Sequence, residues 1–266
     1  MMCKMYFIRE FAGLKQWMWL LAGLLLLTRC EKDPAPGIYS ICDGKWETSD
    51  LLIHGAVTDI DGNEYDAVQI GEQTWMAQNL RTCRYADGTS VYHIEGMGVY
   101  YPQGSDSLGL HYNWVTAMRG ANSSDANPSF VQGLCPDGWH LPSDAEWTQL
   151  IEYVSSQSTY WCGGDNSSIG KALASSVGWT ESGNGCAVGY HAEFNNATGF
   201  SAPPAGSSVP GYNFYHNNEV ECASFWSSTE YDEDHAWGRE LYPAETGVYH
   251  KASDKTQGRS VRCVKD

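Results

Sequence analysis

The residues best suited to chemistry form one short acidic and aromatic stretch towards the C-terminal end of the chain. The segment Glu230 to His235 interleaves four carboxylates with Tyr231 and an imidazole, and Trp237 follows two residues later. Carboxylates and imidazole offer hydrogen bonds, while the rings offer stacking surfaces, a combination typical of ligand-binding rims on loops. A solvated surface loop would have the same composition, so both interpretations stay open.

Strand periodicity extends this rim onto the following strands. Alternate residues of a strand share a face, so Trp237 and Arg239 would lie on one face and Tyr242 on the other. Tyr249 belongs to a later strand. The predicted ligand-binding residues are therefore Tyr231, Asp232, Glu233, Asp234, His235, Trp237, Arg239, Tyr242 and Tyr249.

Motifs for catalysis are missing from the sequence. No Gly-x-Ser-x-Gly, His-Glu-x-x-His or phosphate-binding glycine-rich motif occurs. His216 and Glu219 could form a metal cluster with Cys222, but the asparagines beside them favour a solvated turn. The residues around Cys222 do not support a reactive thiol, and His140 is predicted to be structural. We therefore expect no catalytic residue, no metal, no cofactor and no enzymatic activity.

Composition excludes two further classes of protein. The 266 residues include 32 acidic and 16 basic side chains, which gives a formal charge of −16. A polyanion without a basic stripe is repelled by phosphate backbones, so nucleic acid is not an expected partner. Aromatic residues make up 13% and charged residues only 18% of the chain, which is inconsistent with a disordered protein.

The first 30 residues have the pattern of an export signal. Basic residues precede an apolar run from Trp17 to Leu27, which is shorter than the roughly 20 residues of a membrane span. Cys30 stands where a bacterial lipoprotein signal has its diacylated cysteine, although Arg29 replaces the small residue of that pattern. We predict lipid attachment at Cys30, outer-membrane or cell-surface localisation, and membrane contact only through this anchor. An ordinary cleaved signal or an uncleaved anchor is the alternative.

The remainder divides into a short tether and one domain. Residues 31–53 contain Asp33-Pro34-Ala35-Pro36-Gly37 and lack a clear period, so we interpret them as tether and lead-in. Residues 54–266 are long enough to enclose a single hydrophobic core.

Cysteine usage fits an exported protein. Besides Cys3 and Cys30 there are seven cysteines, without a Cys-x-x-Cys pair, so disulfides are favoured over zinc. Seven is odd, and the count becomes eight if Cys30 is not lipidated. Proximity in sequence alone suggests the pairs Cys162–Cys186 and Cys42–Cys83.

Local patterns predict an α+β arrangement with long loops. Residues 57–68 predict a hairpin around Asp61-Gly62-Asn63. The acidic residues there resemble a calcium loop, but Ile70 replaces the glutamate of position twelve, which favours a tight turn. A further strand is predicted within residues 69–80. Shorter helices are predicted at 113–120 and 169–176, and later strands at 225–228, 236–241, 248–251 and 260–264.

One helix has the clearest signal. Ser143 can cap it, Glu146 completes a capping box, and Trp147 begins an apolar stripe that continues through Leu150, Ile151 and Val154. We expect this stripe to face a sheet.

Six phrases in order carry a family resemblance, and they cover nearly everything from residue 55 onwards. They are Val68 to Leu80, Tyr112-Asn113-Trp114, Cys135 to Pro142, Asn196 to Ala202, Phe225 to Glu230 and Ser260 to Asp266. With these motifs the sequence closely resembles the Fibrobacter succinogenes major paralogous domain, a family of exported proteins, often lipoproteins, abundant in Bacteroidetes.

The resemblance implies a C-type-lectin-like fold, related to formylglycine-generating enzymes and to receptor-binding proteins diversified by retroelements. It implies a disulfide between Cys135 and Cys263 and a loop-rich core, in which we expect most of the large tryptophans to be buried. The calcium-ligating phrases of sugar-binding lectins are missing.

These observations favour a non-catalytic binding module on the cell surface. Its C-terminal face would bind an extracellular protein or glycan ligand. A structural subunit or tip of a surface appendage or envelope complex is the first alternative, and an enzyme with an unrecognised site is the second.

Overall fold

The structure is a computed structural model that describes residues 51–91, 99–100, 105–209 and 221–266. The predicted export signal with Cys30, the tether up to residue 50, and Cys42, His216 and Glu219 lie outside the described residues. The described part of the chain is mixed α/β, with more strand than helix, and contains two disulfides.

The described residues form ten strands and four α-helices. The strands are β1 Leu52–Thr58, β2 Glu64–Ile70, β3 Gln73–Met76, β4 Val99–Tyr100, β5 His111–Tyr112, β6 Trp139–His140, β7 Ala223–Glu230, β8 His235–Leu241, β9 Tyr249–Asp254 and β10 Val264–Lys265. The helices are α1 Ser105–Leu108, α2 Trp114–Met118, α3 Asp144–Ser156 and α4 Gly170–Leu173. In this part of the chain no helix has both the length and the apolar character needed to cross a membrane.

The strands form three antiparallel sheets. The largest has the order β1-β2-β3-β10-β6, so the C-terminal strand lies between β3 and β6. The second consists of β4 and β5, and the third has the order β7-β8-β9. The mixture of helices and strands agrees with the prediction, but local patterns did not indicate that β1 to β3 share one sheet with the C-terminal β10.

The predicted hairpin is confirmed as β1 and β2, and its turn is held by Asp59. One Asp59 carboxylate oxygen accepts the main-chain N–H groups of Asp61 and Asn63, each at 2.9 Å. The other accepts the Tyr65 hydroxyl at 2.6 Å. These bonds occupy the carboxylate within the turn, as expected for a tight turn rather than a calcium loop.

The predicted long helix is confirmed as α3, together with its capping box. The Ser143 hydroxyl accepts the Glu146 N–H, and the Glu146 carboxylate accepts the Ser143 N–H. Trp147, Leu150 and Val154 of the stripe are buried. The Trp147 ring lies 4.6 Å from the Trp75 ring of β3 and 5.5 Å from the Phe225 ring of β7. The stripe thus packs α3 against both the five-stranded and the three-stranded sheet.

The shorter predicted elements differ from the structure mainly in length. Helix α4 spans four residues because Ala174 turns to extended backbone and the chain continues towards Ala202. Strand β10 covers only Val264–Lys265, since the preceding residues bond irregularly to residues 76–80 and Arg262 turns its side chain inward.

Tryptophan rings fill the core, as predicted. Buried side chains form two hydrophobic clusters on opposite sides of β2, whose alternate residues contribute to each. The indoles that the sequence indicated as core are all buried: Trp75, Trp114, Trp139, Trp147 and Trp226.

Both disulfides match predicted pairs. Cys135–Cys263 encloses 128 residues and Cys162–Cys186 encloses 24. The first bond lies beside β6 and β10, and it fixes the C-terminal strand to the middle of the chain. The suggested pairing of Cys42 lies outside the described residues.

Candidate binding surface

The predicted ligand-binding residues lie on the β7–β8–β9 sheet and on the turn joining β7 to β8. Register pairs Arg239 with His250 and Glu240 with Tyr249, and residues paired in an antiparallel ladder point to the same face. Arg239 thus lies on the face against which α3 packs, which we call the helix-side face. Tyr249 lies on the other side, which we call the opposite face. The predicted residues are divided between the two faces.

Three rings form a cluster on the helix-side face. The Trp237 and His250 rings stack with centroids 3.9 Å apart and planes 30° apart. Tyr231 meets Trp237 edge to face at 4.6 Å. Tyr231 is 55% exposed and the His250 side chain 44% exposed. We call Tyr231, Trp237 and His250 the ring cluster.

His250 is a member that sequence reasoning missed. The alternation of the predicted strand at 248–251 drew attention to Tyr249, which lies on the opposite face. The missing information was the register of β9, which brings His250 opposite Arg239 and diagonally beside Trp237.

The electrostatic surroundings keep the His250 ring uncharged near neutral pH. Burial and the nearby Arg239 guanidinium lower the pKa of His250 from its ordinary value, although the Asp144 carboxylate acts in the other direction. His250 Nε2 lies 2.9 Å from Asp144 Oδ1. This contact positions the imidazole over the indole.

The turn at the end of the sheet is shaped by Asp232. Its Oδ1 accepts the main-chain N–H groups of Asp234 at 2.9 Å and His235 at 2.8 Å, and lies 2.8 Å from His235 Nδ1. The hydrogen bond from the His235 ring lowers the pKa of Asp232. Asp232 and His235 therefore have structural contacts in the turn, while the side chains of Glu233 and Asp234 are exposed.

Lys255 holds the same turn from its other side. The ammonium group donates to the carbonyl oxygens of Asp232 at 2.8 Å and Glu233 at 2.7 Å, and forms an ion pair with Glu230. It also lies 4.9 Å above the ring centre of Trp114. The main chain of the turn is thus fixed to the core.

Arg239 does not lie on the accessible surface, which corrects its predicted role as a ligand contact. Its side chain is 3% exposed, and its guanidinium bonds to Asp144 and to the Thr148 hydroxyl. The helix start covers it, because α3 packs against this part of β8. Arg239 joins α3 to β8 and lies directly opposite His250 of the ring cluster in the β8–β9 ladder.

The two remaining predicted residues lie on the opposite face. Tyr242 and Tyr249 meet edge to face at 5.6 Å. The Tyr249 hydroxyl donates to Glu245 at 2.6 Å, and Lys251 donates to the Tyr242 hydroxyl at 3.2 Å. Burial and a hydrogen bond to Glu240 raise the pKa of Tyr242. Because Tyr242 and Tyr249 lie on the opposite face, they do not belong to the surface formed by the ring cluster, which corrects their predicted place in it. Tyr249 is nonetheless 43% exposed, so it serves as a comparison for Tyr231.

His140 and Cys222 are the two side chains with most potential for catalysis, and the surroundings of each disfavour that role. His140 is buried, with Nε2 2.7 Å from Glu146 and Nδ1 2.7 Å from Asp266. Burial opposes its charged form, but the two carboxylates outweigh that effect and raise the pKa of His140. Burial and the Glu240 charge raise the pKa of the free Cys222 thiol to about 12, which keeps it protonated. Among the described residues no group of acidic, histidine and cysteine side chains could hold a metal ion.

Comparison with known proteins gives one match. A family model described as the Fibrobacter succinogenes major domain matches residues 68–265. Neither the curated proteins nor the solved structures contain a match.

Proposed function

The chain belongs to the Fibrobacter succinogenes major domain family, and on that premise we propose that it is a non-catalytic cell-surface lipoprotein that binds an extracellular protein or glycan. The observation that carries the proposal is the ring cluster. Rings of this size are normally buried, and here they stay partly exposed beside a structurally fixed turn. Exposed aromatic clusters on rigid elements are typical of binding surfaces.

The sheet provides a firm base for such a surface. Trp237 and His250 are carried by strands, and Arg239 links those strands to α3. Little side-chain freedom remains to be lost on binding, which favours affinity. The C-type-lectin-like fold implied by the sequence resemblance, a compact core that carries replaceable loops, belongs to the same proposal.

The hydrogen bonds of His140 and the burial of the Cys222 thiol support a non-catalytic role. A histidine without hydrogen-bond partners or an ionised thiol would favour the enzyme alternative. Here both ring nitrogens of His140 are hydrogen-bonded, and the Cys222 thiol is protonated. We therefore expect that no enzymatic activity depends on either residue. Turnover of a carbohydrate or peptide substrate that disappears in a folded Cys222→Ser variant would overturn the proposal.

Binding is tested with the full-length chain in mild detergent on arrays of glycans and of extracellular proteins. We expect saturable binding to at least one ligand, and we expect the folded Tyr231→Ala variant to bind it more weakly than the folded Tyr249→Ala variant. A wild-type protein that binds nothing, and instead copurifies from cells with a fixed stoichiometric partner, would favour the appendage-subunit alternative.

Lipid attachment is tested separately by metabolic labelling with a fatty acid. We expect label on the wild-type chain and none on a Cys30→Ala variant. Equal labelling of the two proteins, or no label on either, would contradict the proposed anchor. A neighbouring reverse transcriptase gene with a near-copy of the 3′ coding sequence would add retroelement diversification to the proposal.

A further inference from the structure

A ligand that approaches the ring cluster meets ring edges and partly covered ring faces. It does not meet one open flat surface. His250 stacks on one side of the Trp237 indole at a centroid distance of 3.9 Å, and Tyr231 packs against the same indole. A sugar ring that stacks flat on a tryptophan needs an uncovered indole face. The arrangement is better suited to the extended side chains of a protein partner, which can lie along Tyr231 and His250.

The charged groups around the cluster leave a negative border. Lys255, which holds the turn, is bound by Glu230 and by turn carbonyl groups, and Arg239, beneath the ring cluster, is bound by Asp144. The exposed carboxylates of Glu233 and Asp234 lie in the turn that carries Tyr231. The whole chain has a formal charge of −16. The surface beside the rings is therefore complementary to a cationic partner.

Resting on the proposed binding function, we propose that the ring cluster docks a protein segment rich in arginine and lysine. Guanidinium and ammonium groups are attracted to the face of an exposed aromatic ring such as that of Tyr231. They also form charge-assisted hydrogen bonds with carboxylates such as those of Glu233 and Asp234. One class of side chain thus satisfies both parts of the surface.

The proposal is tested with a fluorescent hexa-arginine peptide and the full-length chain in mild detergent. We expect saturable binding that weakens as sodium chloride rises from 50 to 500 mM, because these exposed charges are screened. We expect Tyr231→Ala to weaken binding by about tenfold, as at an interface hot spot. Tyr249→Ala removes a somewhat less exposed ring from the opposite face and should change affinity by less than about twofold. Thermal melts establish that both variants are folded.

A second pair of variants separates the carboxylates from the rings. The combined Glu233→Gln and Asp234→Asn variant keeps the size of both side chains and removes two charges. We expect weaker binding and a smaller dependence on salt. A matched combination of Asp137→Asn and Glu152→Gln removes two exposed charges elsewhere and should leave binding nearly unchanged.

Three results would overturn this inference. Equal losses for Tyr231→Ala and Tyr249→Ala would indicate non-specific attraction to net charge, and no binding of hexa-arginine would exclude the partner class. Binding of neutral oligosaccharides that is lost in Tyr231→Ala would replace the protein partner with a glycan. The last result leaves the proposed binding function intact, whereas a wild-type chain that binds no protein and no glycan would overturn that function as well.

Discussion

At the scale of single residues, the buried charge of Arg262 is compensated by main-chain carbonyl groups and one amide side chain, without a carboxylate. Arg262 is fully buried, and burial lowers its pKa to about 9. It donates to the carbonyl groups of Met76 and Phe200 and to the side chain of Asn79. One guanidinium thus joins the C-terminal segment to residues 76–79 and to Phe200, using several of its five donors.

Arg262→Lys is expected to destabilise the fold by about 2–4 kcal/mol, because lysine keeps the charge but leaves buried carbonyl groups without donors. Arg81→Lys is the matched control. Arg81 is less buried, and its loss should cost less than about 1 kcal/mol. Urea unfolding measures both variants, and equal losses would contradict the role assigned to Arg262.

His140 should contribute a pH-dependent part of the stability. Its pKa is raised in the folded protein, so the folded state holds the proton more tightly than the unfolded state. The stabilisation is complete below the unfolded pKa of about 6.5 and is lost as pH rises through the folded value. The difference in unfolding free energy between the wild type and His140→Gln should therefore be larger at pH 5 than at pH 9. A pH-independent difference would contradict this assignment.

The residue types of the candidate surface could be predicted from sequence. The division of these residues between the two faces of the β7–β8–β9 sheet could not. Residue types and alternation indicated Tyr231 and Trp237, and the structure places both in the ring cluster. Alternation does not reveal which face a helix will cover, so Arg239 was expected on the surface although Asp144 and Thr148 cover it. The absence of pairing information also concealed His250.

At the scale of elements, local signals identified α3 because its cap and its apolar stripe are encoded within 12 residues. Strand pairing over long sequence separations left no such signal. Strand β10 pairs with β3 and β6, which lie far away along the chain. A strand of two residues forms because it pairs with these neighbouring strands, and its own residues give no local signal for it.

Ser143→Ala is expected to destabilise the fold by about 1 kcal/mol, because it removes the acceptor for the Glu146 N–H at the start of α3. Glu152→Gln, at an exposed position in the same helix, should change stability by less than about 0.5 kcal/mol. Chemical denaturation distinguishes the two. A neutral Ser143→Ala variant would show that tertiary contacts alone fix the helix start.

At the scale of the whole molecule, the two disulfides seen within the described residues constrain loops of very different length. Cys135–Cys263 encloses 128 residues, compared with 24 for Cys162–Cys186. Within the chain-entropy model, a longer loop loses more freedom in the unfolded state when it is closed. The bond near β10 should therefore contribute more to global stability.

Replacement of Cys135 and Cys263 by serine is expected to cost about 5 kcal/mol, compared with about 3 kcal/mol for Cys162 and Cys186. Chemical denaturation of the two double variants measures the difference. Mass spectrometry verifies that the other disulfide is still formed in each variant. A larger loss from the shorter loop would show that native-state contacts outweigh chain entropy here.

The way Lys255 holds the β7–β8 turn has a consequence for insertions and deletions. The lysine bonds to the carbonyl groups of Asp232 and Glu233, and every amino acid has a carbonyl group. The side chain at position 233 can therefore be exchanged without loss of these bonds. An added or removed residue would instead shift both oxygens away from the ammonium group. The tip of the hairpin is thus tolerant of new side chains but intolerant of a new length.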